Sequence, residues 1–125
     1  MKTQGKSKRT STGSIYNLSG KKKKYQMGRE VLRTRIEEKR RTKTIECRGN
    51  VKKFRLTADN FANVFDPKTK KTSKMKITDV VENPSDPHFV RRNIVTKGAV
   101  VETEKGNAKI TSRPSQDGTI NAVLI

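Results

Sequence analysis

From about Thr42 to the C-terminus, apolar residues recur at every second position in short runs, and Gly, Pro, Asn and Asp separate the runs. Ile45 and Cys47 alternate with polar neighbours and lead into the turn-forming pair Gly49-Asn50. Phe54, Leu56 and Ala58 alternate with Lys53, Arg55 and Thr57, the two-residue period of a strand with one buried face. Together they predict a hairpin with a cationic outer face and with Cys47 in the core. Val64-Phe65 runs into Asp66-Pro67-Lys68-Thr69, where proline presets φ for a turn. Met75 and Ile77 then alternate with Lys74, Lys76 and Thr78. The stretch Asn83-Pro84-Ser85-Asp86-Pro87 interrupts any strand. Ser85 or Asp86 is placed to cap a single helical turn with Pro87 at its first position, presenting Arg91-Arg92. Three more strands are predicted at Ala99–Thr103, Ala108–Ser112 and Ile120–Ile125, with turns at Lys105-Gly106 and from Pro114 to Gly118. Short strands joined by tight turns predict an all-β domain, a small six- or seven-stranded barrel. The apolar C-terminal run is expected to pair with another strand and close it, because an unpaired edge leaves backbone groups open.

The period is lost before Thr42. Leu32 and Ile36 stand four apart, as on a helix face, yet the residues after them turn β-like. Arg29 to Lys43 is therefore a transition, either helical or extended. Residues 1–28 show no apolar periodicity at all, and Gly5, Gly13, Gly20 and Gly28 punctuate Ser/Thr/Lys text. With 125 residues the chain fits one domain. The expected division is an arm with its transition segment at 1–41 and a β-barrel domain at 42–125.

Charge sharpens that division. The chain carries 30 Lys+Arg and 12 Asp+Glu, a formal net of +18. The first 56 residues hold 19 of the basic residues and four of the acids, while the rest hold 11 and eight. Nine basic residues precede the first acid, Glu30. Such a block repels itself and reads as an interaction tail, disordered when free and ordered by a polyanionic partner. Only 30% of residues are apolar and tryptophan is absent, so the core must be small and near the limit of independent stability.

The candidate contacts to nucleic acid follow from these positions. In the arm they are Lys2, Lys6, Lys8, Arg9, the run Lys21, Lys22, Lys23, Lys24, and Arg29. Tyr16 and Tyr25 stand near these cations and are placed to stack on exposed bases. The transition adds Arg33, Arg35, Lys39, Arg40, Arg41 and Lys43, and the hairpin adds Arg48, Lys52, Lys53 and Arg55. Arg91, Arg92 and Lys97 complete the set.

Catalytic and metal chemistry find little support. His88 is the only histidine and Cys47 the only cysteine, so no two-histidine site and no internal disulfide can form. A thiol–imidazole pair is the one conceivable nucleophilic arrangement, but a free cysteine on an alternating strand is ordinarily a packing residue. No GxxxxGK[ST] or GxGxxG stretch occurs, and no metal-ligand spacing is visible. Glu37-Glu38 sits among Lys39, Arg40 and Arg41, a setting for ion pairs. No cofactor, metal or small-molecule substrate is expected, and no enzymatic activity. The Lys/Ser-rich N-terminus lacks the apolar stretch of a secretory signal, and no run approaches the roughly 18 apolar residues that span a membrane. A cytoplasmic protein without a membrane partner is expected.

Several ordered stretches carry a resemblance. They are Ser11-Thr12-Gly13, Lys21 to Tyr25, Gly28-Arg29-Glu30, Arg48-Gly49-Asn50 with Phe54-Arg55-Leu56, and Asp66 to Thr69. Val80 to Pro84, Val90 to Gly98, Ser112-Arg113-Pro114 and Asp117 to Ile125 continue them. The chain closely resembles, nearly end to end, the archaeal and eukaryotic family of small-subunit ribosomal protein eight, which is unrelated to the bacterial protein of the same number. Ser14 stands where such proteins usually have a second glycine, and Asn17-Leu18-Ser19 is less basic than usual. The large insertion of eukaryotic members is missing, so the short form looks archaeal. The resemblance implies a small β-barrel bound to small-subunit ribosomal RNA beside neighbouring ribosomal proteins, scaffolding subunit assembly and translation without catalysis and without homo-oligomerisation. The alternative is a DNA-binding chromatin or architectural protein, for which net charge is equally good evidence, but no recognition helix or minor-groove wedge is recognisable.

Overall fold

A computed structural model describes residues 9–17, 20 and 23–125, and the chain divides into two compact units, Met1–Val31 and Leu32–Ile125. In the first unit, Arg9 and Ile15 form an antiparallel bridge around a tight turn. Thr10 donates its N–H to the Ser14 carbonyl at 2.9 Å, and Gly13 donates to the Thr10 carbonyl at 3.0 Å. Gly13 adopts φ 87°, a left-handed conformation that glycine reaches without a Cβ clash. Ser14 fits this turn, since its hydroxyl lies 2.8 Å from that of Thr10. A single 3₁₀ turn follows at Lys24–Gln26. The expected disorder of the free arm falls in part on residues 1–8, 18–19 and 21–22, outside the described residues.

The second unit is all-β, with nine strands and two four-residue helices. Strands β4 (Phe61–Asp66), β5 (Lys71–Glu82), β7 (Val100–Thr103), β8 (Gly106–Ile110) and β9 (Asn121–Leu124) close into a barrel in that order. Strands β1 (Thr34–Arg35), β2 (Arg41–Glu46), β3 (Lys52–Ala58) and β6 (Ile94–Val95) form a second sheet in the order β2-β3-β1-β6. The closed ring thus has five strands instead of six or seven, because the first hairpin belongs to this other sheet. Helix α1 (His88–Arg91) precedes β6, and α2 (Pro114–Asp117) precedes β9.

Five strands in a ring cannot all alternate in direction, so one neighbouring pair must run parallel. That pair is β4 and β9, with Val64 opposite Ala122, while β9 pairs antiparallel with β8 on its other edge. The C-terminal run closes the barrel, as its apolar pattern predicts. Strand β5 pairs first with β4 and then with β7, and its register shifts between Ile77 and Asp79 and again between Val80 and Glu82. Bulges of this kind bend a long strand and change which side chains face inward: Met75 and Ile77 are buried, and the next buried residue is Val80.

The core is built from small and branched side chains, as a narrow barrel requires. Ala62, Val64, Ile77, Val101, Ala108, Ile110, Ile120 and Ala122 are all almost fully buried. Leu56 of β3 joins them. The transition segment is extended: Thr34 is buried, and its hydroxyl donates to the Leu56 carbonyl at 2.8 Å.

Two core expectations are corrected. Phe54 is 59% exposed although it alternates properly with Leu56, because burial begins only at Leu56 and the end of the hairpin lies outside the core. Cys47 is half-buried at the end of β2, where its N–H donates to the Val51 carbonyl at 2.8 Å and closes the hairpin loop. It is a loop residue instead of a core one.

Candidate nucleic-acid interface

The β2–β3 hairpin is the most cationic element with described side chains. Antiparallel register sets Lys43 opposite Arg55, Ile45 opposite Lys53 and Glu46 opposite Lys52. Side chains opposed in this way share a face, so Lys43, Lys53 and Arg55 lie together. Toward the loop end of the hairpin both faces are in solvent: Lys43, Arg48, Lys52 and Lys53 are exposed, as are Val51 and Phe54. Arg41, also exposed, stands at the other end opposite Ala58. The one acid in β2, Glu46, stands across from Lys52.

Not every basic residue here is available to a ligand. Arg55 Nε donates to the Ser115 carbonyl at 2.9 Å, and Arg40 Nη2 donates to the Gly118 carbonyl at 3.2 Å. Arg40 also lies 3.6 Å from Asp59, and Arg41 pairs with Glu37 at 3.4 Å. Arg40 and Arg55 therefore act as clamps that hold α2 and its C-terminal glycine on the sheet. Gly118 has φ 77°, and a Cβ there would lie 3.3 Å from the Phe54 carbonyl oxygen, so backbone approaches backbone at this point.

A second cationic group forms where β1, α1 and β6 meet. Arg33 lies over the Phe89 ring at 5.0 Å, a cation–π contact that fixes its stem. Arg35 is opposite Ile94 and Ala58, and its side chain is exposed. Asp86 stands in the turn that leads into α1, its Oδ1 accepting the His88 N–H at 2.9 Å, and Pro87 takes the cap position instead of the first helical one. Arg91 and Arg92 at the other end of α1 are exposed, and so are Lys97 and Lys39. His88 is exposed too.

In the arm, Arg9 donates from Nη1 to the Gly13 carbonyl at 3.0 Å, within its own turn. Tyr16 and Tyr25 are 60% and 63% exposed, which leaves ring surface open for stacking. Lys23 and Arg29 are exposed. Lys24 begins the 3₁₀ turn. Lys2, Lys6, Lys8, Lys21 and Lys22 lie outside the described residues.

Sequence reasoning passed over Lys74 and Lys76, which are exposed on β5. The signal was present in the polar half of the alternation around Met75 and Ile77. Among the described residues, no group of three or more His, Cys, Asp or Glu side chains is arranged to hold a metal ion, and no helix is long and apolar enough to cross a membrane.

Comparison with known proteins gives a consistent result. The model of the family described as Ribosomal protein S8e matches residues 3–125. The chain is similar to a Methanococcus aeolicus protein named small ribosomal subunit protein eS8, with 48% identity over 122 residues, covering 98% of this chain and 95% of the relative. Proteins of the same name from Methanococcus vannielii and Methanococcus maripaludis are 48% and 46% identical over the same shares.

Proposed function

The chain belongs to the ribosomal protein S8e family, and we propose that it is a structural constituent of the small ribosomal subunit that binds ribosomal RNA through its basic arm and basic domain surface. It supports subunit assembly and translation by holding RNA segments in place, and it carries out no catalysis. The observation that carries this reading is the β2–β3 hairpin, which offers Lys43, Lys52 and Lys53 to solvent from both faces. Exposed cations at this density repel one another, and phosphates placed between them relieve that repulsion. The Lys21–Lys24 run and the exposed Arg91, Arg92 and Lys97 extend the same chemistry. Tyr16 and Tyr25 are the arm's candidates for base stacking.

Titration of the full chain with small-subunit ribosomal RNA across a salt series tests the reading. Each neutralised phosphate releases counterions, so about ten contacts give a log–log slope of about −7 or steeper. Replacing Lys43, Lys52 and Lys53 with alanine is expected to flatten the slope by about 0.7–0.9 per lysine. A slope unchanged by these substitutions and by alanine at Lys21–Lys24 would move the contacts to Arg91, Arg92 and Lys97. Absence of RNA binding, together with failure to co-sediment with small subunits in high salt, would overturn the reading.

A further inference from the structure

The outer face of β4 presents Phe61, Asn63 and Phe65, while Ala62 and Val64 fill its inner face. Phe61 is 41% and Phe65 39% exposed, so half of the four phenylalanines in this chain stand on one solvent-facing strip. Strand register surrounds them with cations and amides. On β5, Lys76 is opposite Phe61, Lys74 opposite Asn63 and Thr72 opposite Phe65. On β9, Asn121 is opposite Asn63 and Val123 opposite Phe65. Lys74 Nζ lies 4.6 Å from the centroid of the Phe61 ring, and Asn63 donates from Nδ2 to Oδ1 of Asn121 at 3.1 Å. Of the acids near this strip, Asp66 is engaged by the Lys68 N–H and the Thr69 hydroxyl in the adjoining turn, and Asp59 by the Phe61 N–H and Arg40. Glu38 lines the hollow beside Phe61, Asn63 and Lys74.

We propose that this strip is a stacking platform for unpaired RNA bases, with Phe61 and Phe65 meeting base faces and Lys74 and Lys76 meeting the flanking phosphates. The proposal rests on the reading of the chain as an RNA-binding small-subunit protein and adds to it a surface on the barrel strands β4 and β5. Two phenylalanines four positions apart on a strand are separated by about 13 Å, so they receive different bases of one strand. Charge decides between RNA and a protein occupant: the buried centre of a protein–protein interface is depleted in lysine. Sites for single-stranded nucleic acid combine aromatic faces with a cationic groove. A duplex offers no free base faces, so the substrate is a loop, bulge or strand end.

The test uses the full chain and an unstructured oligouridylate of about 12 nucleotides, at about 0.3 M salt to weaken the arm's phosphate contacts. Phe61→Ala and Phe65→Ala are each expected to weaken binding at least about fivefold, the lower end of the cost for one stacked base. Phe61→Tyr is expected to keep wild-type affinity, because a tyrosine ring stacks equally well. The phenylalanine variants leave the salt slope unchanged, whereas Lys74→Ala lowers it by about 0.7. Photocrosslinking of the unsubstituted chain to the same probe, with adducts in the peptide holding Phe61 and Phe65, supports the platform whether or not the alanine variants fold. Wild-type oligouridylate binding by folded alanine variants, with crosslinks confined to the arm, overturns it. If those variants bind the probe normally but lose a neighbouring protein from reconstituted subunits, the strip is a protein-docking face and the proposal is wrong. An unsubstituted chain that binds no RNA at all overturns this proposal and the RNA reading together.

Discussion

Asn83 donates from Nδ2 to the carbonyl of Ile94 at 3.1 Å, tying the segment that leaves β5 to the short strand β6. The Asn83 side chain is buried, and its Oδ1 accepts from the Ser85 N–H at 3.0 Å and the Thr96 hydroxyl at 2.8 Å. One amide thus joins the end of a barrel strand to the second sheet. The Val80–Pro84 and Val90–Gly98 stretches, which stand out in the sequence, meet here for a structural reason.

Asn83→Ala removes all three bonds and leaves the buried Ile94 carbonyl without this donor. The expected loss is on the order of 2–3 kcal/mol, with about 1 kcal/mol per bond as the guide. Asn83→Asp keeps the acceptor but sets a buried carboxylate oxygen against the Ile94 carbonyl, so it is expected to be at least as destabilising as alanine near neutral pH. Urea denaturation of the three proteins measures the order. An alanine variant as stable as the wild type would remove this amide's structural role.

Arg55 and Lys53 lie on one face of β3 but are expected to respond oppositely to substitution. Arg55→Met loses the bond to the Ser115 carbonyl, at a cost of about 1 kcal/mol, or a melting point lower by roughly 4–8 °C for a domain of this size. Lys53→Met removes an exposed cation and is expected to leave the melting point within error while flattening the salt slope of RNA binding. Melting curves beside RNA titrations distinguish the two. Equal effects from both would mean that Arg55 is as much a phosphate contact as a clamp.

Two truncations separate folding from binding. Removal of residues 120–125 takes away a strand paired on both edges together with buried Ile120 and Ala122. The barrel then has two open edges, and the chain is expected to unfold. Removal of residues 1–28 is expected to leave the melting point nearly unchanged and to weaken RNA binding strongly. Ordering that segment costs roughly 1–2 kcal/mol per residue in backbone entropy, and its sequence contains no apolar periodicity to offset the cost. Unfolding by the arm deletion, with a stable C-terminal deletion, would reverse this assignment.

Asp66 links stability to acid. The Lys68 N–H, and after it the Thr69 hydroxyl, donates to this carboxylate, and these bonds hold its pKa below the ordinary carboxylate value. A carboxylate with a depressed folded pKa contributes stability that is fully present above its unfolded pKa, about 3.9, and is lost as pH falls through the folded value. The wild type is therefore expected to lose more stability than Asp66→Asn between pH 4 and stronger acid, and the two to differ by a constant amount near neutrality. Carboxyl titration by NMR is expected to place the Asp66 midpoint below 3.9. A midpoint above that value would contradict the turn's hydrogen bonding.

Much of the domain is determined locally. Once the backbone is extended, side chains alternate between faces, so Ala62/Val64, Met75/Ile77, Ala108/Ile110 and Ile120/Ala122 declare both the strand and its inner side. The turn at Asp66–Thr69 and the turn at Asp86 that leads into α1 are likewise set by neighbours within four residues. Charge needs no fold to be counted, so the contrast between the arm and the rest is a property of the sequence alone. Tertiary structure decided what depends on distant parts of the chain. Phe54 keeps the period of a buried residue, yet the core ends at Leu56, and no local pattern records where an opposing layer stops. Arg40 and Arg55 have the same side chain as the exposed Arg48. They became clamps because carbonyls 78 and 60 residues away come within hydrogen-bonding reach. Exposed Phe61 and Phe65 join Lys74 and Lys76 in one strip only because β4 pairs with β5 in this register. Alternation assigns each residue a face of its own strand; pairing between strands decides what shares that face.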